Sequence, residues 1–441
     1  MIAPKLRFPE FLESGEWKSE SLGDVYSFQS TNSFSRDQLN YENGLVKNIH
    51  YGDIHTKFAT LFDITKENVP FINYSESLNK IALESYCVEG DIVFADASED
   101  MEDVGKSIEL VYLNNEKLLA GMHTLLARQK EKKIVVGFGG YLFKSNRIRS
   151  QIKKEAQGAK VYGISANRLL NIDICFPADK KEQQKIADCL TSLDELISAE
   201  RAQLDALKAY KKGLLQNLFP AEGESLPALR FPEFQSAGKW EEAELGNLID
   251  LQSGYAFQSE YFSDKGKKLL TPKNFTQNGY ASFNEENTKY TTEETDLKYL
   301  CKESDLLLLL TDLTPTCELL GKPLLLTKDD NEVLLNQRIV KVISKGSLEI
   351  KFLLYFFLTD SYHQRIKNTA TGSTVRHSSN KIIASTKICF PLDKKEQQKI
   401  AEMLTSIDEE IAGQGQRAAA LQVHKRGLLQ GLFPSTGEVE G

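Results

Sequence analysis

Parts of this chain are written twice, and that constrains its fold more than any other feature. ICFPADKKEQQKIA at 174–187 recurs as ICFPLDKKEQQKIA at 388–401, with 13 identities in 14 positions. KGLLQNLFP at 212–220 recurs as RGLLQGLFP at 426–434, again offset by 214. LRFPEF occurs at 6–11 and 229–234, an offset of 223 that also pairs Trp17 with Trp240 and Leu22-Gly23 with Leu245-Gly246. The stretches between these ends resemble each other only faintly, and the second is 9 residues shorter. Two units of about 220 residues are too few and too long for a solenoid. The 441 residues therefore read as a duplicated unit with shared ends and diverged centres.

The shared segments carry a coiled-coil heptad. In the first copy the apolar seam is Ile186, Leu190, Leu193, Ile197, Leu204, Leu207, Leu214 and Leu218, broken only at Glu200 and Lys211. The second copy keeps the phase with Ile400, Leu404, Ile407, Ile411, Ala418, Leu421, Leu428 and Leu432, broken at Gln414 and Lys425. Prolines 177 and 391 precede these helices, and prolines 220 and 434 follow them, where proline is tolerated. A helix over 181–218 would be roughly 55 Å long. Each helix could pack on its own domain, but two equal heptad helices in one chain are expected to pair with each other; if they pair antiparallel, the two halves are related by a pseudo-two-fold axis.

Each variable stretch has mixed patterning. Strands are expected at 91–94, 108–112, 133–136, 306–310, 324–326 and 339–343, and helices at 141–154 and 351–367. The expected fold class is α+β: two domains in tandem, each followed by a long helix. The divisions are 1–176 (first variable domain), 177–220 (first long helix), 221–390 (second variable domain), 391–434 (second long helix) and 435–441 (flexible tail).

A net charge of −8 argues at first against a nucleic-acid partner, but the charge is segregated. Residues 89–103 hold seven acids and no base. Residues 121–170 hold eleven bases and two acids, and residues 335–384 hold eight bases and two acids. These two basic windows end just before the long helices. Lys and Arg neutralise phosphates, and Arg, Asn, Gln and Ser read base edges. The candidate DNA-contacting residues are Arg128, Lys144, Arg147, Arg149, Lys153, Lys154, Lys160 and Tyr162 in the first window. In the second they are Arg338, Lys341, Arg365, Lys367, Thr374, Arg376 and Lys381. AQGAKV at 156–161 and ATGSTV at 370–375 correspond, as a tight turn or as a loop whose backbone approaches a phosphate.

No apolar run approaches the roughly 20 residues of a membrane span. The six cysteines are widely spaced without CxxC, which suits reduced thiols in a cytoplasmic protein and neither a zinc site nor a bridge framework. There is no GxxxxGK[ST], no GxGxxG between strand and helix, no [DNS]PP[YFW] and no HExxH. His50 and His55 flank Tyr51-Gly52-Asp53, a pattern commoner in core or loop contacts than in catalysis. The chain reads as a binder with no catalytic or metal residues of its own.

These features resemble the specificity subunit of type I restriction–modification systems. The resemblance rests on the tandem variable/shared layout and the LRFPEF…W…LG openings. It rests also on Pro177, Glu182, Gln183 and Ile186, repeated as Pro391, Glu396, Gln397 and Ile400. Leu119-Ala120-Gly121-Met122-His123-Thr124 is similar to a recurrent turn of the family's target-recognition domains; the second copy departs there, with Leu334-Leu335-Asn336-Gln337-Arg338. The resemblance implies that each variable domain reads one half of a split, asymmetric double-stranded DNA target. It implies a helical ruler, two bound methyltransferase subunits, and restriction subunits in the full complex. S-adenosylmethionine, ATP and Mg would belong to those partners and none to this chain. The alternatives are a coiled-coil assembly protein without sequence readout and, against the missing motifs, a stand-alone modification enzyme.

Overall fold

Asp179 and Asp393 open the two long helices. Their side chains accept the backbone N–H of Lys181 and Lys395, both at 2.8 Å, as N-caps do. The helices that follow are Lys180–Leu218 and Lys394–Leu432, each unbroken over 39 residues. The computed structural model describes residues 2–435 apart from Ser75, Ser77, Lys80, Leu313, Pro315, Ser373 and Thr374. Of the tail expected at 435–441, only Ser435 is among the described residues.

The chain forms two compact units that cut across its linear order: residues 1–201 with 416–441, and residues 202–415. Each unit thus contains one variable domain and half of each long helix. In the first unit the start of the first helix runs antiparallel to the end of the second, with Asp194 bonded to Lys425. In the second unit the pairing is antiparallel again, with Lys211 on Asp408 at 2.5 Å. All the seam residues are buried or half-buried, from Ile186, Leu190, Leu193, Ile197, Leu204, Leu207 and Leu214 to Ile400, Leu404, Ile407, Ile411, Leu421 and Leu428. The outer seam residues also enter the domain cores. Ile186, Leu190 and Leu432 pack with Trp17 and Phe138. Leu214, Leu218, Ile400 and Leu404 pack with Trp240 and Phe352.

The first domain has a five-stranded sheet in the order Tyr26–Gln29, Thr124–Gln129, Ile92–Ala95, Ser107–Tyr112, Leu61–Asp63. Beside it lies a four-stranded sheet in the order Leu118–Ala120, Lys47–Ile49, Phe71–Ile72, Leu39–Asn40. The second domain inverts the sizes. Its four-stranded sheet runs Ile249–Ser253, Ile339–Ser344, Leu306–Leu309, Pro323–Leu325. Its five-stranded sheet runs Phe262–Ser263, Lys289–Thr291, Lys267–Leu270, Val333–Leu335, Leu300–Cys301. A two-stranded ribbon closes each domain just before its long helix: Lys18 pairs with Phe176, and Glu241 with Phe390.

Two expectations need correction. Residues 133–136 form no strand, because side-chain amides take the place of a neighbouring strand. Gln129 holds both the N–H and the C=O of Ile134, while Gln183 accepts from Val135 N–H and donates to Lys133 O. The helices expected at 141–154 and 351–367 are each two helices. They are Phe138–Leu142 with Asn146–Glu155, and Ile350–Leu358 with Asp360–Thr369. Ser145 and Thr359 stand in extended N-cap conformation at corresponding positions and interrupt the run.

One fully buried carboxylate clamps each domain to its helix. Glu182 receives Arg7 through two bonds of 2.7 and 2.8 Å, and Trp17 Nε1 at 3.2 Å. Glu396 receives Arg230 at 2.7 and 2.8 Å, and Trp240 Nε1 at 3.1 Å. Removing one partner of such a pair leaves an uncompensated charge. Glu182→Ala is therefore expected to destabilise the first unit, and Glu396→Ala the second, by about 3–5 kcal/mol. Urea unfolding followed by Trp fluorescence would show one early transition in each variant.

A second buried carboxylate sits mid-sheet. Glu109 Oε2 accepts the Gly140 N–H at 2.6 Å, and Oε1 has no partner among the described residues. Burial pushes this carboxyl up to about 7 from its usual 4.5. The folded state therefore holds the proton more tightly, so stability is greatest below the unfolded value and falls as pH rises through this window. The loss is about 3 kcal/mol. Glu109→Gln is expected to flatten the pH dependence of the first unit's melting between pH 4.5 and 7; an unchanged slope would assign it to another group.

Candidate nucleic-acid interface

Several bases of the two windows are held by internal partners. Arg128 lies on Asp91 through two bonds of 2.9 and 2.7 Å and also donates to the carbonyls of Glu84 and Tyr86. Arg149 donates to the carbonyls of Glu102 and Val104, and burial lowers its pKa. Lys153 binds Glu102. Lys144 donates to Thr60 Oγ1 at 2.5 Å, and burial pulls its ammonium down to about 8. Arg147 reaches Ser435 O at 3.4 Å. In the second unit Lys341 pairs with Asp305 at 2.7 Å. Arg365 donates to Thr386 Oγ1 and Ser385 O, and Arg376 to Gly372 O and Ala370 O. Lys154, Lys160, Arg338 and Lys381 are exposed, Tyr162 and Lys367 half-buried; Thr374 lies outside the described residues.

Each of the paired glycine loops is closed at its neck by backbone bonds. Gln157 and Gly163 exchange both backbone bonds, at 2.9 and 2.7 Å, as Thr371 and His377 do at 3.0 and 2.9 Å. Gly158 and Gly372 have φ of +127° and +93°. A Cβ there would stand 1.9 Å from Val161 O and 2.1 Å from Val375 O, so only glycine fits. The first turn lifts Lys160 and Val161 into solvent. Its strand Tyr162–Gly163 pairs with Ala97–Ser98.

A second feature joins the two sheets of each domain. In the first unit the turn Gly121-Met122-His123 links strands Leu118–Ala120 and Thr124–Gln129. Gly121 passes so close to Asn48 that a Cβ would lie 2.4 Å from its Nδ2. His123 is held at φ +56°, a strained conformation that recurs at functional sites. Its Nδ1 lies 3.2 Å from Asp96 Oδ1, which orients the ring, and its side chain is 51% exposed. Tyr51 packs against it at 5.3 Å between centroids, and His50 and His55 flank Tyr51 at 4.7 and 6.2 Å. His50 Nδ1 accepts the Gly52 N–H at 3.1 Å, which leaves its Nε2 to carry the hydrogen. Burial, with Arg36 nearby, lowers its pKa and keeps it neutral. Buried Asp53 is neutralised by Arg36 and Lys57, both half-exposed on this surface.

The second unit has the same turn with other chemistry. Asn336-Gln337-Arg338 links Val333–Leu335 to Ile339–Ser344, and Gln337 and Arg338 are exposed. Gln337 N–H donates to Tyr255 O at 2.8 Å. Tyr255 packs on Phe257 and Tyr299 at 4.9 and 5.4 Å and donates to Glu293 at 3.0 Å. Among these residues only Arg338 is found by charge. The signal that marks the rest is that the copies diverge at one corresponding turn. Among the described residues, no group of His, Cys, Asp and Glu could hold a metal ion, and no helix is long and apolar enough to cross a membrane.

Known proteins place this geometry. The chain is 25% identical over 348 residues to the type I restriction enzyme MjaVIII specificity subunit of Methanocaldococcus jannaschii, covering 76% of this chain and 77% of that one. It is 30% identical over 199 residues to the putative MjaX specificity subunit of the same organism, covering 44% and 45%. Its fold is similar to the crystal structure of the type I restriction–modification S subunit from M. genitalium, with a TM-score of 0.58 at 15% identity, covering 99% and 100% of the two chains. A chain from a structural study of type I complex assembly gives a TM-score of 0.57 at 16% identity, covering 95% and 98%. The type I restriction modification DNA specificity domain matches twice, at residues 14–209 and 237–422, each match taking in one variable domain and much of its long helix, and the chain belongs to that family of specificity subunits.

Proposed function

We propose that each unit reads one half of an asymmetric, bipartite DNA target, and that the turns at 121–123 and 336–338 carry part of the reading. The supporting observation is that one structural position, framed by aromatic rings in both units, presents histidine chemistry in one and Gln337 with Arg338 in the other. Arginine engages guanine through O6 and N7, and glutamine engages adenine through N6 and N7. Unequal chemistry at equivalent places suits unequal half-sites. Exposed Lys154, Lys160 and Lys381 supply phosphate contacts that fix register without reading sequence.

In this reading the 39-residue helices act as the ruler between half-sites, at about 58 Å each against about 34 Å for a turn of DNA. Two methyltransferase subunits dock on the chain, and restriction subunits join them. The chain contributes recognition and no catalysis. S-adenosylmethionine, ATP and Mg act on the partners, and the target adenines are flipped out for methylation.

Exchanging residues 1–175 for the corresponding part of another specificity subunit is expected to change one half of the methylated motif and leave the other intact. Methylome sequencing of a strain expressing the chain with its methyltransferase would show this, and an unaltered motif would refute the reading. In the same assay Arg338→Ala is expected to relax one position of the second half-site, and a DNA-binding titration of the assembled complex is expected to show a cost of about 1–3 kcal/mol. Lys160→Ala is expected to weaken binding to all sequences alike and reduce its salt slope by about one unit.

A further inference from the structure

In each unit a single residue joins the glycine loop to the turn between the sheets. In the first, Asp96 N–H donates to His123 O at 3.1 Å, and Asp96 O accepts the Ile164 N–H at 2.8 Å. In the second, Leu310 N–H donates to Arg338 O at 2.9 Å, and Leu310 O accepts the Ser378 N–H at 2.9 Å. The strand that closes each loop pairs antiparallel with the two residues that follow: Tyr162–Gly163 with Ala97–Ser98, and Arg376–His377 with Thr311–Asp312. Turn and loop strand therefore lie against one short segment. Their bonded backbone atoms are within about 10 Å of each other, since one residue spans at most about 3.6 Å.

Both units hold an imidazole on that segment, but from different elements. In the first it is His123, on the turn, with Nδ1 at 3.2 Å from Asp96 Oδ1. In the second the turn supplies Arg338, and the imidazole comes from the loop strand: His377 Nδ1 lies 3.3 Å from Thr311 Oγ1. Sequence correspondence does not connect the two rings, because His123 stands opposite Arg338 and His377 opposite Gly163. The chain has only six histidines, yet each unit exposes one of them at this same place.

The fold does not require the ring of His377. Gly163 makes the same strand pair and the same two bonds at the loop neck with no side chain at all. A hydrogen bond from an exposed ring also adds little net stability. What the Thr311 bond does is orient the imidazole. With Nδ1 engaged, Nε2 is the ring nitrogen left to meet a ligand. Thr311 Oγ1 can donate to Nδ1 or accept from it. The ring can thus offer an Nε2–H to guanine O6 or N7, or an Nε2 lone pair to the amino group of adenine or cytosine. A phosphate contact needs charge and no such orientation. The neighbouring charge is turned inward, since Arg376 donates to Gly372 O and Ala370 O.

We infer that His377 is a base-reading residue of the second unit, the counterpart in space of His123, and that it forms one reading surface with Gln337 and Arg338. Thr311 is its positioning residue. This rests on the reading of the two turns as DNA-contacting, and adds a second chain element to the surface that recognises the second half-site.

The test uses the full chain assembled with its methyltransferase, with the methylated motif read by methylome sequencing and folding by circular dichroism. His377→Ala is expected to relax one position of the second half-site, with a loss of discrimination there of roughly fivefold or more, and to leave the first half-site unchanged. His123→Ala is expected to do the converse. Thr311→Val keeps the ring but releases it, and is expected to blur the position that His377→Ala relaxes. His377→Gln retains a donor and an acceptor, and is expected to keep a preference at that position where alanine keeps none. A folded His377→Ala chain with an unaltered motif overturns the inference; if Arg338→Ala still relaxes the second half-site, the functional reading stands without it. If neither Arg338→Ala nor the exchange of residues 1–175 alters the motif, that reading falls as well. A His377→Ala chain that keeps its motif but binds all sequences more weakly, with a salt slope reduced by about one unit, has lost a phosphate contact, and the inference is again wrong. Should alanine disturb the strand, His377→Gly installs the residue that the first unit tolerates there and carries the same expectation.

Discussion

Each recognition domain depends on a carboxylate that water does not reach. Glu182 and Glu396 lie at the first turn of a long helix, where the helix dipole favours an anion. Each gathers an arginine and a tryptophan from a segment more than 150 residues earlier in the chain. That clamp fixes the opening of each domain against the helix that follows it. The two-stranded ribbon and the aromatic core around Trp17 or Trp240 then have a defined floor. A variable sheet can diverge above such a floor without losing its mounting, which is how one architecture carries two different reading surfaces.

The breaks in the helix seam act at the same level. A lysine on an apolar seam costs stability unless it is paired. Lys425 meets Asp194 in the first unit and Lys211 meets Asp408 in the second, and each aspartate also accepts a bond from a domain tyrosine, Tyr141 at 2.8 Å or Tyr355 at 2.9 Å. A parallel, in-register pair would set lysine beside lysine and aspartate beside aspartate. The polar breaks thus oppose the wrong orientation and tie each domain's helical layer to the seam.

How much of this was legible follows from whether a residue's role lies in its own sequence neighbourhood. The seam from Ile186 to Leu432 is local periodicity, and its positions are the buried and half-buried ones. The misread strand at 133–136 is held by Gln129 and Gln183, one of them fifty residues away. The helix breaks at Ser145 and Thr359 are single extended residues, of which only Thr359 accepts a helix N–H through its side chain, and the helical periodicity runs on past both. Charge windows mark where bases are dense but not where they point. Arg128 and Arg149 lie in the densest window and are bonded inward, whereas the cluster around Tyr51 and His123 lies largely outside any charge signal.

The two copies therefore carry more information together than either alone. Identity between them at buried positions reports the fold, as with Glu182 and Glu396. Divergence at one framed turn, His123 against Arg338, gives the two units different chemistry at one place. Identity extends to exposed positions as well, as with Lys185 and Lys399. These patterns are segregated along the chain: the copies share their residues at the helix starts, 180–187 and 394–401, and diverge at the sheet-joining turns, 121–123 and 336–338, so the mounting of each domain is kept apart from the place where the domains differ.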